Sequence, residues 1–125
     1  MARVVALVDD LFFQAKMLET AKHVGVMLEC VATGEALAER AMQDPPALVV
    51  IDLNARCGGM EALERLSAGK HLRVIAFLSH VQVELAEQAR RAGCQEVMPR
   101  SKFTQDLAKI FSQALAPQET PGEGN

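Results

Sequence analysis

Continuous apolar runs recur along the chain at Val4–Val8, Ala47–Ile51 and Val74–Leu78, each of strand length and rich in Val, Ile or Leu. Uninterrupted runs of this kind suit strands covered on both faces, as in a parallel sheet, because a strand with one wet face alternates apolar with polar. Two weaker segments, Val26–Val31 broken by Glu29 and the short Glu96–Met98, predict outer strands. Between the runs, apolar residues recur at three- and four-residue steps. The sets are Phe13, Met17, Ala21 and Val24; Met60, Leu63 and Leu66; Val81, Leu85, Ala89 and Ala92; and Phe103, Leu107, Ile110 and Phe111. That spacing places each set on one face of a helix. A shorter helix is predicted to start at a Thr33 cap, carry Leu37 and Ala41 inward and stop at Asp44-Pro45-Pro46.

The pattern is βα repeated five times, with each helix crossing between parallel strands, so the predicted fold class is α/β with a doubly wound sheet. A chain of 125 residues forms one domain with a substantial core. Residues 1–116 are expected to be that domain. The segment 117–125 has no apolar residue to bury and is expected to be a disordered tail.

Composition narrows the function. The formal net charge is −3, and two of the 16 acidic residues, Glu119 and Glu123, lie in the tail, leaving 13 bases against 14 acids in the body. No basic footprint for nucleic acid is present. No apolar run approaches a membrane span, and the first run is too short for a signal-peptide core, so a cytoplasmic protein is expected. Cys30, Cys57 and Cys94 are an odd number with no close pair, which indicates neither a disulfide framework nor a zinc site.

Ligands of doubly wound sheets bind beyond the C-terminal ends of the strands. Those ends carry Asp9 and Asp10, then Asp52, Ser79 and Arg100. Taken alone, an acidic pair after a strand is a solvated loop or a helix cap. Three carboxylates converging with a hydroxyl and a cation are different, because they repel one another unless a cation joins them. Oxygen ligands in a shallow site suit Mg²⁺, which keeps waters and accepts phosphate oxygens.

Four segments carry a resemblance to a known family. They are Ala6-Leu7-Val8-Asp9-Asp10, Leu48-Val49-Val50-Ile51-Asp52-Leu53-Asn54, Ala76-Phe77-Leu78-Ser79-His80 and Ala92-Gly93-Cys94-Gln95-Glu96-Val97-Met98-Pro99-Arg100. Over residues 3–115 the chain resembles the receiver domains of two-component response regulators, the CheY-like, flavodoxin-like (βα)5 fold with strand order 2-1-3-4-5. The resemblance implies that Asp52 is the phosphoacceptor in phosphorelay signal transduction. It further implies that Asp10 binds Mg²⁺ directly, Asp9 through water and Asn54 through its backbone carbonyl, while the Ser79 hydroxyl reaches the phosphoryl group. The implied partners are a histidine kinase or phosphotransfer protein upstream, and a downstream protein target or a second copy of the chain as a homodimer. A stand-alone receiver without an effector domain is expected.

The chain departs from the family at three places. Arg100 stands where the family has Lys; the loop Asn54-Ala55-Arg56-Cys57-Gly58-Gly59 is one residue short and lacks Pro; and Val97 replaces a common aromatic. Arg is a planar fork and does not imitate a compact ammonium. The Lys-to-Arg change and the shortened loop support an alternative, which the intact Asp9, Asp10 and Asp52 oppose: a phosphorylation-independent pseudo-receiver in which Arg100 bridges the carboxylates as an internal cation and the protein serves as an interaction module. Ser101 is the expected N-cap of the last helix, and Lys102 a solvated residue at its start. His23, His71 and His80 read as surface residues, Cys57 as an unreactive loop thiol, and Phe12 as a cover for the pocket or a partner contact. An enzyme is not expected beyond slow self-dephosphorylation. No G-x-G-x-x-G follows the first strand, and Asn54 cannot supply the general acid that an aspartyl phosphatase needs.

Overall fold

A computed structural model of the chain describes residues 2–56, 58–67, 72–79 and 82–115. The expected tail, and with it Cys57, His71, His80 and Val81, lie outside the described residues. The strands are β1 (Arg3–Leu7), β2 (Met27–Val31), β3 (Leu48–Asp52), β4 (Val74–Leu78) and β5 (Glu96–Pro99). All pair in parallel in the order β2-β1-β3-β4-β5. The helices are α1 (Leu11–Val24), α2 (Gly34–Gln43), α3 (Gly59–Ser67), α4 (Val83–Arg91), α5 (Arg100–Gln105) and α6 (Leu107–Leu115).

Each central strand divides its side chains between two cores, as pleating requires. Val4 and Ala6 of β1, with Val8 just after it, join Leu48, Val50, Ile75 and Phe77 on the side covered by α1, α5 and α6. Val5, Leu7, Val49, Ile51, Ala76 and Leu78 meet α2, α3 and α4 on the other. Both faces of β1, β3 and β4 are therefore buried, which is why these strands read as uninterrupted apolar runs. The edge strands β2 and β5 are only half-buried, in keeping with the Glu that each carries. No helix among the described residues is long and apolar enough to cross a membrane.

Local chemistry sets the helix ends. The Thr33 side chain accepts from the Ala36 amide at 3.1 Å, the predicted cap of α2. Gly25, at φ +96°, closes α1 in the left-handed conformation and donates its amide to the Ala21 carbonyl at 2.8 Å. Two expectations need correction. The last apolar stripe is carried by two helices, α5 and α6, that meet at Asp106, with the Thr104 hydroxyl bonded to the Arg100 carbonyl at 2.8 Å. Back-bonding of this kind bends helices. Ser101 is not a cap, because α5 begins at Arg100 directly after the strand, and Pro99 occupies the N-cap position without a side-chain bond.

Candidate functional site

The C-terminal ends of β1, β3 and β5 bring four predicted residues together. Asp10 is the N-cap of α1: its Oδ1 accepts from the Phe12 and Phe13 amides at 3.0 and 3.2 Å. Asp52 ends β3 and is the one charged side chain among the described residues that is buried, at 4% exposure. Its Oδ1 accepts from the Asn54 amide at 2.9 Å. Asp9 Oδ2 accepts from the Arg56 amide at 2.9 Å, tying the end of β1 to the loop after β3.

Arg100, the first residue of α5, supplies the cation. Its Nη2 lies 3.3 Å from Asp10 Oδ2 and 3.9 Å from Asp52 Oδ2, so one nitrogen faces both carboxylates. The guanidinium carbon lies 4.4 Å from the centre of the Phe13 ring and 5.7 Å from that of Phe77. These rings belong to a cluster in which Phe77 stacks on Phe103 at 4.7 Å and Phe13 meets Phe77 edge-on at 5.3 Å. Arg100 Nε is buried with no hydrogen-bond partner among the described residues.

Asn54 and Ser79 sit beside this group and are exposed. The Asn54 side chain accepts from the Ser79 amide at 2.6 Å and donates to Gln82 Oε1 at 2.9 Å, joining the loop after β3 to the approach to α4. The electrostatics of the two central carboxylates diverge. The Phe13 amide, together with Arg100 and the Phe12 amide, holds the Asp10 carboxyl below the ordinary carboxylate value, against some desolvation. Burial pushes the Asp52 carboxyl up, and the negative charges of Asp9 and Asp10 add to this, opposed by the Asn54 amide and Arg100.

A stability prediction follows from Asp52. A carboxyl whose folded value is raised penalises the native state wherever the unfolded chain ionises more readily. The penalty is absent in acid below the unfolded-chain value, builds as pH rises from that value toward the raised folded value, and is complete above the latter. Asp52→Asn is therefore expected to stabilise the metal-free protein at neutral pH by about 1 kcal/mol, roughly 4 °C in Tm. The gain should vanish on acidification. Thermal melts in chelator at neutral and acidic pH check this, and equal Tm values at neutral pH would refute it.

The secondary candidates resolve simply. Lys102 is exposed and pairs with Asp106 at 3.0 Å, as expected of a helix-start residue. Phe12 is 91% exposed and does not cover the pocket, because α1 turns it outward while its neighbour Phe13 packs inward. His23 is exposed beside Glu19. Burial pushes the Cys30 and Cys94 thiols up to about 11, so both are poor nucleophiles at neutral pH. The sequence reading missed Phe13 and Phe77 as the surface beneath Arg100. The apolar spacing that marks them as core residues is also what hides that second contact.

With the side chains as they stand, no three metal-ligating residues converge closely enough among the described residues to hold a cation. The donor set nevertheless fits Mg²⁺ in chemistry and charge. Asp10 and Asp52 share one guanidinium while Asp9 lies close enough to act on Asp52, so three carboxylates face one cation, and every candidate donor is an oxygen.

No protein-family model matches the chain, and no curated protein matches it in sequence. Solved structures do match. A response regulator from Hahella chejuensis superposes with a TM-score of 0.84 at 20% identity, over 96% of this chain and 99% of its own. The response regulator domain of Thermotoga maritima CheB gives 0.77 at 17% identity, over 95% and 99%. NtrX from Brucella abortus, in complex with ADP, gives 0.74 at 18% identity over 91% of this chain, which spans only 26% of NtrX. Strand order, helix placement and these superpositions together give the chain the CheY-like fold of response-regulator receiver domains.

Proposed function

We propose that the protein is a receiver in phosphorelay signal transduction, with Asp52 taking the phosphoryl group and with signalling through protein contacts. The observation that carries this reading is the placement of Asp52. It is a buried carboxylate at the end of the central strand β3, facing Asp10 across Arg100, with Asp9 near enough to raise it. Asp52 Oδ1 is held by the Asn54 amide, which fixes the carboxylate plane. An oxygen of Asp52 attacks phosphorus in a phosphohistidine or small acyl phosphate. The new O–P bond forms as the bond to the donor's nitrogen or oxygen breaks, and the donor leaves with that electron pair. Asp9, Asp10, Asp52 and the Asn54 carbonyl would hold Mg²⁺. Bound there, it supplies charge neutralisation for the transferring oxygens. Arg100, which stays charged at all working pH values, adds positive charge beside the site, and Ser79, on its rim, offers a hydroxyl.

A histidine kinase or phosphotransfer protein is the proposed donor, and a downstream protein or a second copy of the chain the proposed recipient of the signal. The Arg100 bridge between Asp10 and Asp52 favours one other reading, a pseudo-receiver whose site is satisfied by its own cation. Amide NMR with Mg²⁺ and then beryllofluoride, a phosphoryl mimic, separates the two. The receiver reading expects shifts around Asp10, Asp52 and Ser79 that Asp52→Asn abolishes. No response to beryllofluoride at saturating Mg²⁺ would leave the pseudo-receiver.

A further inference from the structure

We propose that Arg100 is a built-in competitor for the cation of this site, positioned by Phe13 and Phe77, so that Mg²⁺ binds only by displacing the guanidinium. The inference rests on the receiver reading for its ligand, and on geometry for its content. A single nitrogen of Arg100 faces Asp10 Oδ2 and Asp52 Oδ2, on two of the carboxylates that would hold Mg²⁺. Mg²⁺ draws carboxylate oxygens to about 2.0–2.1 Å. A dication between these oxygens would therefore lie against a guanidinium that cannot shed its charge.

The aromatic cluster holds the competitor in place. Phe13 lies 4.4 Å and Phe77 5.7 Å from the guanidinium carbon, and the negative ring faces attract the cation. Phe13 also sits one turn into the helix that Asp10 caps, so the same segment sets one carboxylate and one wall of the cradle. The pose is held by charge, by the rings and by one 3.3 Å hydrogen bond to Asp10, while Arg100 Nε is buried without a partner among the described residues. An orphaned donor of this kind makes the arrangement easier to give up when a stronger cation arrives.

The test is a Mg²⁺ titration of the full chain, followed by amide shifts near Asp10 and Asp52, in the wild type, Arg100→Lys, Arg100→Gln and Phe13→Leu. Removing the planar fork in either Arg100 variant is expected to tighten Mg²⁺ binding roughly tenfold, within the usual range for coupled ligands. Phe13→Leu should tighten it by a smaller factor. A purely structural role for Phe13 would lower stability and leave the Mg²⁺ affinity unchanged. Equal Mg²⁺ affinity in the wild type and both Arg100 variants would overturn the inference. Beryllofluoride, added to wild type and Arg100→Lys at saturating Mg²⁺, addresses the receiver reading separately. If neither responds while the Mg²⁺ affinities still differ, that reading fails and the competition stands.

Discussion

Phe77→Ala is expected to cost about 3–5 kcal/mol, the usual range for deleting a buried aromatic ring. Phe77 is fully buried on the interior strand β4, stacks on Phe103 and meets Phe13 edge-on. Phe13 of α1 and Phe103 of α5 both pack against this ring, so its removal leaves a cavity between the two helices and the sheet. The loss should appear in urea denaturation as a lower midpoint at an unchanged slope. The chain has no Trp or Tyr, so far-ultraviolet circular dichroism is the suitable probe. A cost below about 1 kcal/mol would mean that the cluster repacks and that the surface beneath Arg100 is not rigid.

The next largest effect is expected at Gly34→Ala. In an ordinary helix this change stabilises, by up to about 1 kcal/mol. Here the added methyl would overlap the Gly58 carbonyl oxygen and meet Ala62 Cβ at 3.1 Å. That carbonyl accepts the Ala62 amide at 2.9 Å in the first turn of α3, and Gly58 itself is held at φ +78°. Backbone therefore meets backbone, and neither side can yield as a flexible side chain would. The expected outcome is a destabilisation of about 1–3 kcal/mol. Amide shifts should spread from α2 into the loop after β3, including Arg56, whose amide holds Asp9. A Gly34→Ala protein as stable as the wild type would show that the contact between α2 and this loop is slack.

Much of the fold is legible in the sequence because burial on both faces leaves a one-dimensional mark. Val4–Val8 and Val74–Leu78 had to be apolar throughout, whereas Glu29 and Glu96 are tolerated on edges with a wet side. Thr33 and the prolines after Asp44 act on their immediate neighbours, so their effect on α2 could be read locally. The carboxylates were legible for a related reason: the topology of a doubly wound sheet sends the residues after each strand to one end. The break at Asp106 and the start of α5 were not legible. The apolar stripe runs on through both helices, and the Thr104 bond to the Arg100 carbonyl leaves no trace in spacing.

What the sequence alone determined is therefore the alternation of strands and helices as far as β5, the two-sided core, and the meeting of Asp9, Asp10, Asp52 and Arg100 at one end of the sheet. These follow from hydrophobic periodicity, from short-range turn and cap chemistry, and from the topology of a doubly wound sheet. Only the tertiary structure decided how the four residues share their charges. Arg100 reaches Asp10 across 90 residues of sequence, rests on Phe13 and Phe77 from two other elements, and places one nitrogen between two carboxylates. Periodicity says which face a side chain takes, but the distance between two faces depends on the packing of every element between them.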